Sequence, residues 1–110
     1  MTVVQSVRLP IRLYSLQNMR WHWATKAKII KGHRGAAYLA CMREDLPVTV
    51  KVTRYGPRKM DRDNNISAMK GVIDGIAQRL QADDGDERIT WIYDQGIAKG
   101  YSVTVEFIRE

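Results

Sequence analysis

Asp61 and Asp63 stand two positions apart in "DRDN", and Asp83 and Asp84 adjoin each other further along, in "QADDGDERI". On an extended backbone, residues two apart point their side chains to the same side, so the first pair shares a direction. Gathering such acids is unfavourable on its own. Two like charges about 4 Å apart cost roughly 1 kcal/mol in water and about 4 kcal/mol at an effective dielectric of 20. If folding brings the four carboxylates together, a positive partner must compensate them, and an all-oxygen donor set suits a hard Mg²⁺ or Mn²⁺ ion. The chemistry served by that arrangement is phosphodiester hydrolysis. There a metal activates water, polarises the phosphoryl oxygen and neutralises charge on the leaving group.

Blander readings compete at each position. Asp83 and Asp84 also fit a solvated acidic turn. Asp61, Asp63 and Asn65 open like a calcium-binding loop. That loop requires Gly at its sixth position and Glu at its twelfth, where this chain has Ile66 and Val72. Asp74 lies one helical turn beyond Lys70, placed to pair with it or to pack beside the site. His22 and His33 differ in helical phase and lack partners, which argues against a catalytic base or a ligand. Asn64 is read as fixing the turn after the aspartates.

The 110 residues predict one domain, and 45% apolar against 27% charged residues is ordinary for a folded protein. The net charge of +6 conceals a division. Residues 1–60 hold twelve Lys and Arg against only Glu44 and Asp45, while residues 61–110 hold six against ten acids. A basic half predicts a polyanionic partner, with nucleic acid first among them. Lys26, Lys28, Lys31 and Arg34, near Trp21 and Trp23, form a candidate phosphate-contacting face, joined by Arg58 and Lys59. A solvated helix surface is the alternative, and the tryptophans fit a core role better than base stacking. Cys41 stands alone, so neither a disulfide framework nor a cysteine metal site is expected. "MTVVQSVRLP" lacks the continuous apolar core of a signal peptide. No stretch approaches the ~20 apolar residues that cross a bilayer, and a cytoplasmic location is expected.

Several elements must position these residues. Val7, Leu9, Ile11 and Leu13 alternate as in a strand, and Pro10, which cannot donate to a ladder, makes it an edge strand. Asn18 is placed to cap a helix running roughly from Met19 to Arg43. Trp23, Ala27, Ile30, Ala37, Tyr38 and Cys41 form its apolar seam, with Arg34 inside it. Gly32 and Gly35 predict a bend or break. "LPVTVKVTRY" is a second strand with Val48, Val50 and Val52 on one face. Ile66, Met69, Val72, Ile73 and Ile76 mark an amphipathic helix of about fifteen residues. "ITWIY" and "YSVTVEFI" give two more strands around the turn-rich "DQGIAKG". The order β-α-β-α-β-β predicts a single small α+β domain over residues 1–110, with a mixed sheet of about four strands and two main helices.

"DRDN" at Asp61–Asn64, "KGVIDGI" at Lys70–Ile76 and "DD" at Asp83–Asp84 resemble the RusA family of Holliday junction resolvases from bacteria and their phages. "SLQNMRWHWATKAKIIKGHRGAA" is similar to the Asn…His-Trp segment and following basic helix of phage members. From first to last these stretches span residues 15–84, about two thirds of the chain. The resemblance implies metal-binding roles for Asp61, Asp63 and Asp84, with Asp83 as a neighbour able to substitute. It implies the family's essential lysine at Lys70. It also implies an Mg²⁺-dependent homodimer that nicks two opposed strands of a four-way junction. The chain departs from the family in one respect: six residues separate Asp63 from Lys70, about three more than usual. On a continuous helix three residues rotate a side chain by ~300° and advance it ~4.5 Å, within reach for a flexible lysine. The expected function is structure-selective, Mg²⁺-dependent cleavage of branched DNA in recombination and repair. The alternative is a non-catalytic DNA-binding accessory protein that keeps the fold, and a purely structural interaction protein stands third.

Overall fold

The computed structural model describes residues 1–15 and 23–110. Asn18, Trp21, His22 and the expected helix start at Met19 lie outside the described residues. The chain runs β1 (Thr2–Leu9), α1 (Trp23–Ala40), β2 (Val48–Gly56), α2 (Arg62–Ala68), α3 (Lys70–Arg79), β3 (Ile89–Ile97) and β4 (Ser102–Arg109). The four strands form one mixed sheet in the order β1-β4-β2-β3. β4 is antiparallel to both its neighbours, whereas β2 and β3 are parallel, with Val48 opposite Ile89 and Gly56 opposite Ile97. This is the expected α+β domain with a mixed sheet.

Alternation decides which face each strand buries. Val48, Val50 and Val52 join Val103, Val105 and Phe107 in the core, against Val72, Ile73 and Ile76 of α3. β1 is an edge strand, as expected, but it ends just before Pro10, so Ile11 and Leu13 of the expected run lie beyond it.

The helix layer departs from the sequence expectation in three ways. The single helix expected around Ile66–Ile76 is two, because a turn at Met69 separates α2 from α3. α1 is continuous through Gly32 and Gly35. Both glycines face open space, where a missing side chain costs some helix propensity but disturbs no packing. Trp23, expected in the apolar seam, is 72% exposed, whereas Ala37 and Cys41 are buried as expected.

Over the rest of the seam α3 presents glycines, not large side chains, to α1. A Cβ on Gly71 would come within 2.5 Å of the Ile30 carbonyl oxygen, and one on Gly75 would collide with the Arg34 carbonyl. Further along, Arg79 donates from Nε to the Tyr38 carbonyl at 2.8 Å and stacks on that ring. Ile30 over Gly71, Arg34 over Gly75 and Tyr38 over Arg79 mean that the two helices run in the same direction.

That direction orients the whole domain. α3 returns the chain from the end of β2 to the start of β3, so it opposes those parallel strands, and α1 does the same. The amino ends of α1 and α3 therefore lie at the carboxyl end of β1, β2 and β3. Ligand sites in sheets with parallel strands form at that end.

Candidate active site and phosphate-binding surface

The first acid pair stands at this carboxyl end. Asp61 occupies the N-cap position of α2, and Asp63 follows in its first turn. An aspartate at an N-cap normally accepts a hydrogen bond from the helix's own N–H groups. Asp61 makes none with its side chain. Both carboxylates are exposed, and neither has an ion-pair or hydrogen-bond partner among the described residues.

The stretch leading to Asp61 is held from β3. Gln95 accepts from the Met60 N–H and donates to the Met60 carbonyl, both at 2.8 Å. On α2, Asn65 donates from Nδ2 to the Asp94 carbonyl at 3.3 Å. These bonds dock the start of α2 onto the carboxyl half of β3. Asn65, buried in the middle of α2, thus makes the tertiary bond, while Asn64, expected to fix the turn, is only partly buried.

The second acid pair reaches β3 by another route. Leu80 caps the end of α3, and Gln81 adopts a positive φ of 57°. Ala82 N–H then bonds back to the Ala77 carbonyl at 3.0 Å, the left-handed cap that reverses a chain after a helix. Trp91 donates its indole N–H to the Asp84 carbonyl at 2.9 Å. The Asp84 carboxylate is near enough to Tyr93 to help raise its pKa, although burial is the larger cause.

Within "DDGDE" the acids divide by role. Asp86 is the structural one: Arg88 grips it at 3.0 and 2.8 Å, and the Arg88 backbone N–H bonds it at 2.9 Å. Those hydrogen bonds hold its pKa down to about 2. Asp83 and Asp84 make no side-chain hydrogen bond or ion pair among the described residues and are exposed.

Both acid pairs therefore attend edge strand β3, Asp61 and Asp63 by way of α2 and Asp84 beside Trp91 and Tyr93. No group of three or more His, Cys, Asp or Glu able to hold a metal ion is assembled among the described residues. Lys70, the first residue of α3, pairs with Asp74 at 3.8 Å and is well exposed. Because α3 starts afresh after Met69, the single-helix phase argument linking Asp63 to Lys70 does not apply.

The basic residues fall into two sets. Lys28, Lys31 and Arg34 are exposed on α1 and Lys26 is partly so, as a phosphate-contacting helix would require. Arg58 and Lys59, just before the first acids, line a pocket with Arg12, Arg54 and Tyr101. Sequence reasoning missed Arg54, Arg12 and Tyr101. The signal for Arg54 was present, since it continues the core-facing series Val48, Val50, Val52 and is a charge where an apolar side chain belongs. Tyr101 arrives because the link from β3 to β4 crosses the end of β2. Gly56 lies beneath it, and a Cβ there would press on Arg54 and the Tyr101 ring.

His33 and Cys41 are core residues. Burial lowers the His33 pKa, against a weaker opposing hydrogen bond that the imidazole donates to the Arg12 backbone carbonyl. Burial raises the Cys41 thiol to about 11, the opposite of an activated nucleophile. No described helix is long and apolar enough to cross a membrane. No protein-family model matches the chain, and no curated protein matches it significantly.

Proposed function

We propose that this chain is a structure-selective endodeoxyribonuclease that hydrolyses phosphodiester bonds in branched DNA with Mg²⁺ or Mn²⁺. One observation carries the reading. In a protein of net charge +6, Asp61 stands at a helix N-cap without using its carboxylate to cap, two residues from an equally uncommitted Asp63. Both sit at the carboxyl end of the parallel strands, directly after Arg58 and Lys59. Carboxylates left unpaired among so many cations are suited to an external cation. The donors are all oxygens, and Mg²⁺ is typically held by one or two carboxylates, with water and substrate phosphate completing its shell. Asp61 and Asp63 fit that requirement; Asp84, with Asp83 beside it, would add to it from the loop along β3. The metal would supply an activated water and charge neutralisation at phosphorus.

The chain's own residues set the rest. Gln95 and Asn65 fix where the first acids stand. The basic residues of α1 and of the segment before Asp61 would draw the DNA backbone and orient it. Lys70 would place a positive charge near the reacting phosphate, after exchanging its exposed ion pair with Asp74, a contact worth only ~0.3–0.5 kcal/mol. A four-way junction is nearly two-fold symmetric, so paired nicks require a homodimer with one site per subunit. The resemblance of "DRDN", "KGVIDGI" and "DD" to RusA-like resolvases supports the same substrate.

The Lys70–Asp74 ion pair favours a second reading, a DNA-binding accessory protein without catalysis, in which the lysine is a surface charge. Incubation with a labelled four-way junction and a linear duplex, with and without Mg²⁺, separates the two. Symmetric nicks in the junction alone support the nuclease; binding without cutting at any Mg²⁺ or Mn²⁺ concentration supports the accessory protein.

A further inference from the structure

The carboxyl end of the sheet carries a second feature beside the acids: a cavity of about 340 Å³ lined by Arg12, Arg54, Arg58 and Lys59, with Ser15 and Tyr101. That volume lies at the lower end of the ~300–1,000 Å³ typical of small-ligand sites. Among the described residues four cations line it and no carboxylate does.

Arg54 is its most unusual member. It is only 5% exposed, yet it forms no ion pair among the described residues. Its Nη1 donates to the Arg58 carbonyl at 2.8 Å and to Gln95 Oε1 at 3.5 Å. Its Nε has no partner among the described residues, and neither does the buried Ser15 Oγ. A buried charge left without a counterion is costly, and natural proteins pair it or bind something to it. Burial makes the protonated guanidinium harder to hold; Tyr101 opposes that effect, and the neighbouring Arg12 adds to it more weakly.

Arg12 is set differently. It is exposed and stacked, with its Cζ 4.2 Å from the Tyr101 ring centre and 5.0 Å from that of Tyr14. Stacking fixes the guanidinium plane while leaving its N–H edge free to donate, and that rigid edge matches two phosphate oxygens at once.

We propose that this pocket is a phosphate-binding subsite, seating a backbone phosphate of the nucleic-acid strand that leads to Asp61 and Asp63. The anion completes the missing counterion of Arg54, and Arg12 closes over it from the solvent side. Lys59 and Arg58 lie between this phosphate and the acids along the chain, so the pocket would set the register of the strand relative to the bond that is cut. The choice of a strand phosphate over a free one rests on the function proposed above; the pocket's preference for phosphate oxygens does not.

The test uses the full chain in EDTA, with a fluorescent four-way junction titrated over a series of salt concentrations. Thermal unfolding with added pyrophosphate reads the free anion. Arg12→Gln removes an exposed cation, Arg54→Lys keeps the charge but loses the fork, and Arg43→Gln is a control from the opposite end of the sheet. We expect Arg12→Gln and Arg54→Lys each to weaken junction binding about tenfold, with Arg43→Gln unchanged. Arg12→Gln should also lower the log–log salt slope by about one, the loss of one phosphate contact. Pyrophosphate should raise the melting temperature of the wild type but not of Arg12→Gln.

If Arg54→Lys does not fold, Arg12→Gln decides alone. A folded Arg12→Gln protein with wild-type affinity, salt slope and pyrophosphate response overturns the proposal. Stabilisation by pyrophosphate without junction binding refutes the strand assignment together with the nuclease reading. Weakened binding by the variants of a wild type that never cuts upholds the pocket while removing the nuclease.

Discussion

The side-chain amide of Gln95 brackets the backbone of Met60, accepting from its N–H and donating to its carbonyl, each at 2.8 Å. An amide used this way substitutes for one rung of a strand ladder. It ties the loop carrying Arg58, Lys59 and Asp61 to the carboxyl half of β3, the strand that also accepts from Asn65 at the Asp94 carbonyl and holds the Asp84 carbonyl through its own Trp91. The position of the candidate catalytic acids thus depends on a residue that need touch no substrate.

Gln95→Leu keeps the approximate volume and removes both bonds. It should lower stability by about 1–3 kcal/mol, the cost of leaving backbone groups unpaired. It should also reduce metal-dependent cleavage more than junction affinity, because the acids shift while the α1 cations do not. Urea denaturation and single-turnover cleavage measure the two effects, and equal losses in binding and cutting would deny the positioning role.

Gly71 and Gly75 make the opposite prediction from Gly32 and Gly35. Gly75→Ala drives a methyl group into the Arg34 carbonyl and the Ala37 side chain, so overpacking should cost about 1–3 kcal/mol. Gly35→Ala meets nothing within 4 Å on an exposed stretch of α1 and should gain about 0.5–1 kcal/mol from helix propensity. Chemical denaturation of both variants checks the sign as well as the size.

Much of this architecture was legible and some was not, for identifiable reasons. The valine alternation of β2 and the apolar run of β4 report burial directly, whereas in the apolar run of β3 only Ile89 is buried, and Pro10 pointed to the edge strand from just beyond its end. The break at Met69 was hidden because that residue keeps a helical backbone (φ −83°, ψ −3°), so the apolar spacing runs through it without a flaw. Trp23 was misplaced because it lies two turns ahead of Ile30, whose carbonyl faces Gly71 near the start of α3, so the helix that packs on the rest of the seam does not extend to it. The acidic pairs were visible as residue types. The basic pocket was not, since it joins residues 12–15, 54–60 and 101, and only the crossing over Gly56 brings them together.

His33 gives the fold a pH dependence of definite sign. Burial sets its folded pKa below the ordinary 6.5, so the folded protein binds that proton less readily than the unfolded chain. Between the folded value and about 6.5 the unfolded state carries more protons, and stability must fall as pH drops through that window. The contribution is complete above 6.5. Urea midpoints should therefore decline from pH 7.5 to 5.5, above the range where carboxylates titrate, and His33→Gln should flatten that decline. An equal decline in the variant would assign it to other groups.

The central claim is that Asp61, Asp63 and Asp84 serve one metal-dependent cut in branched DNA. The most direct measurement compares wild type, Asp61→Asn and Asp84→Asn on an end-labelled four-way junction, with binding read in EDTA and cleavage in Mg²⁺. All three proteins should bind the junction with similar affinity, while only the wild type cuts it, leaving symmetric nicks in opposed strands. Normal Mg²⁺-dependent cutting by either variant, or none by the wild type in Mg²⁺ or Mn²⁺, would contradict the account.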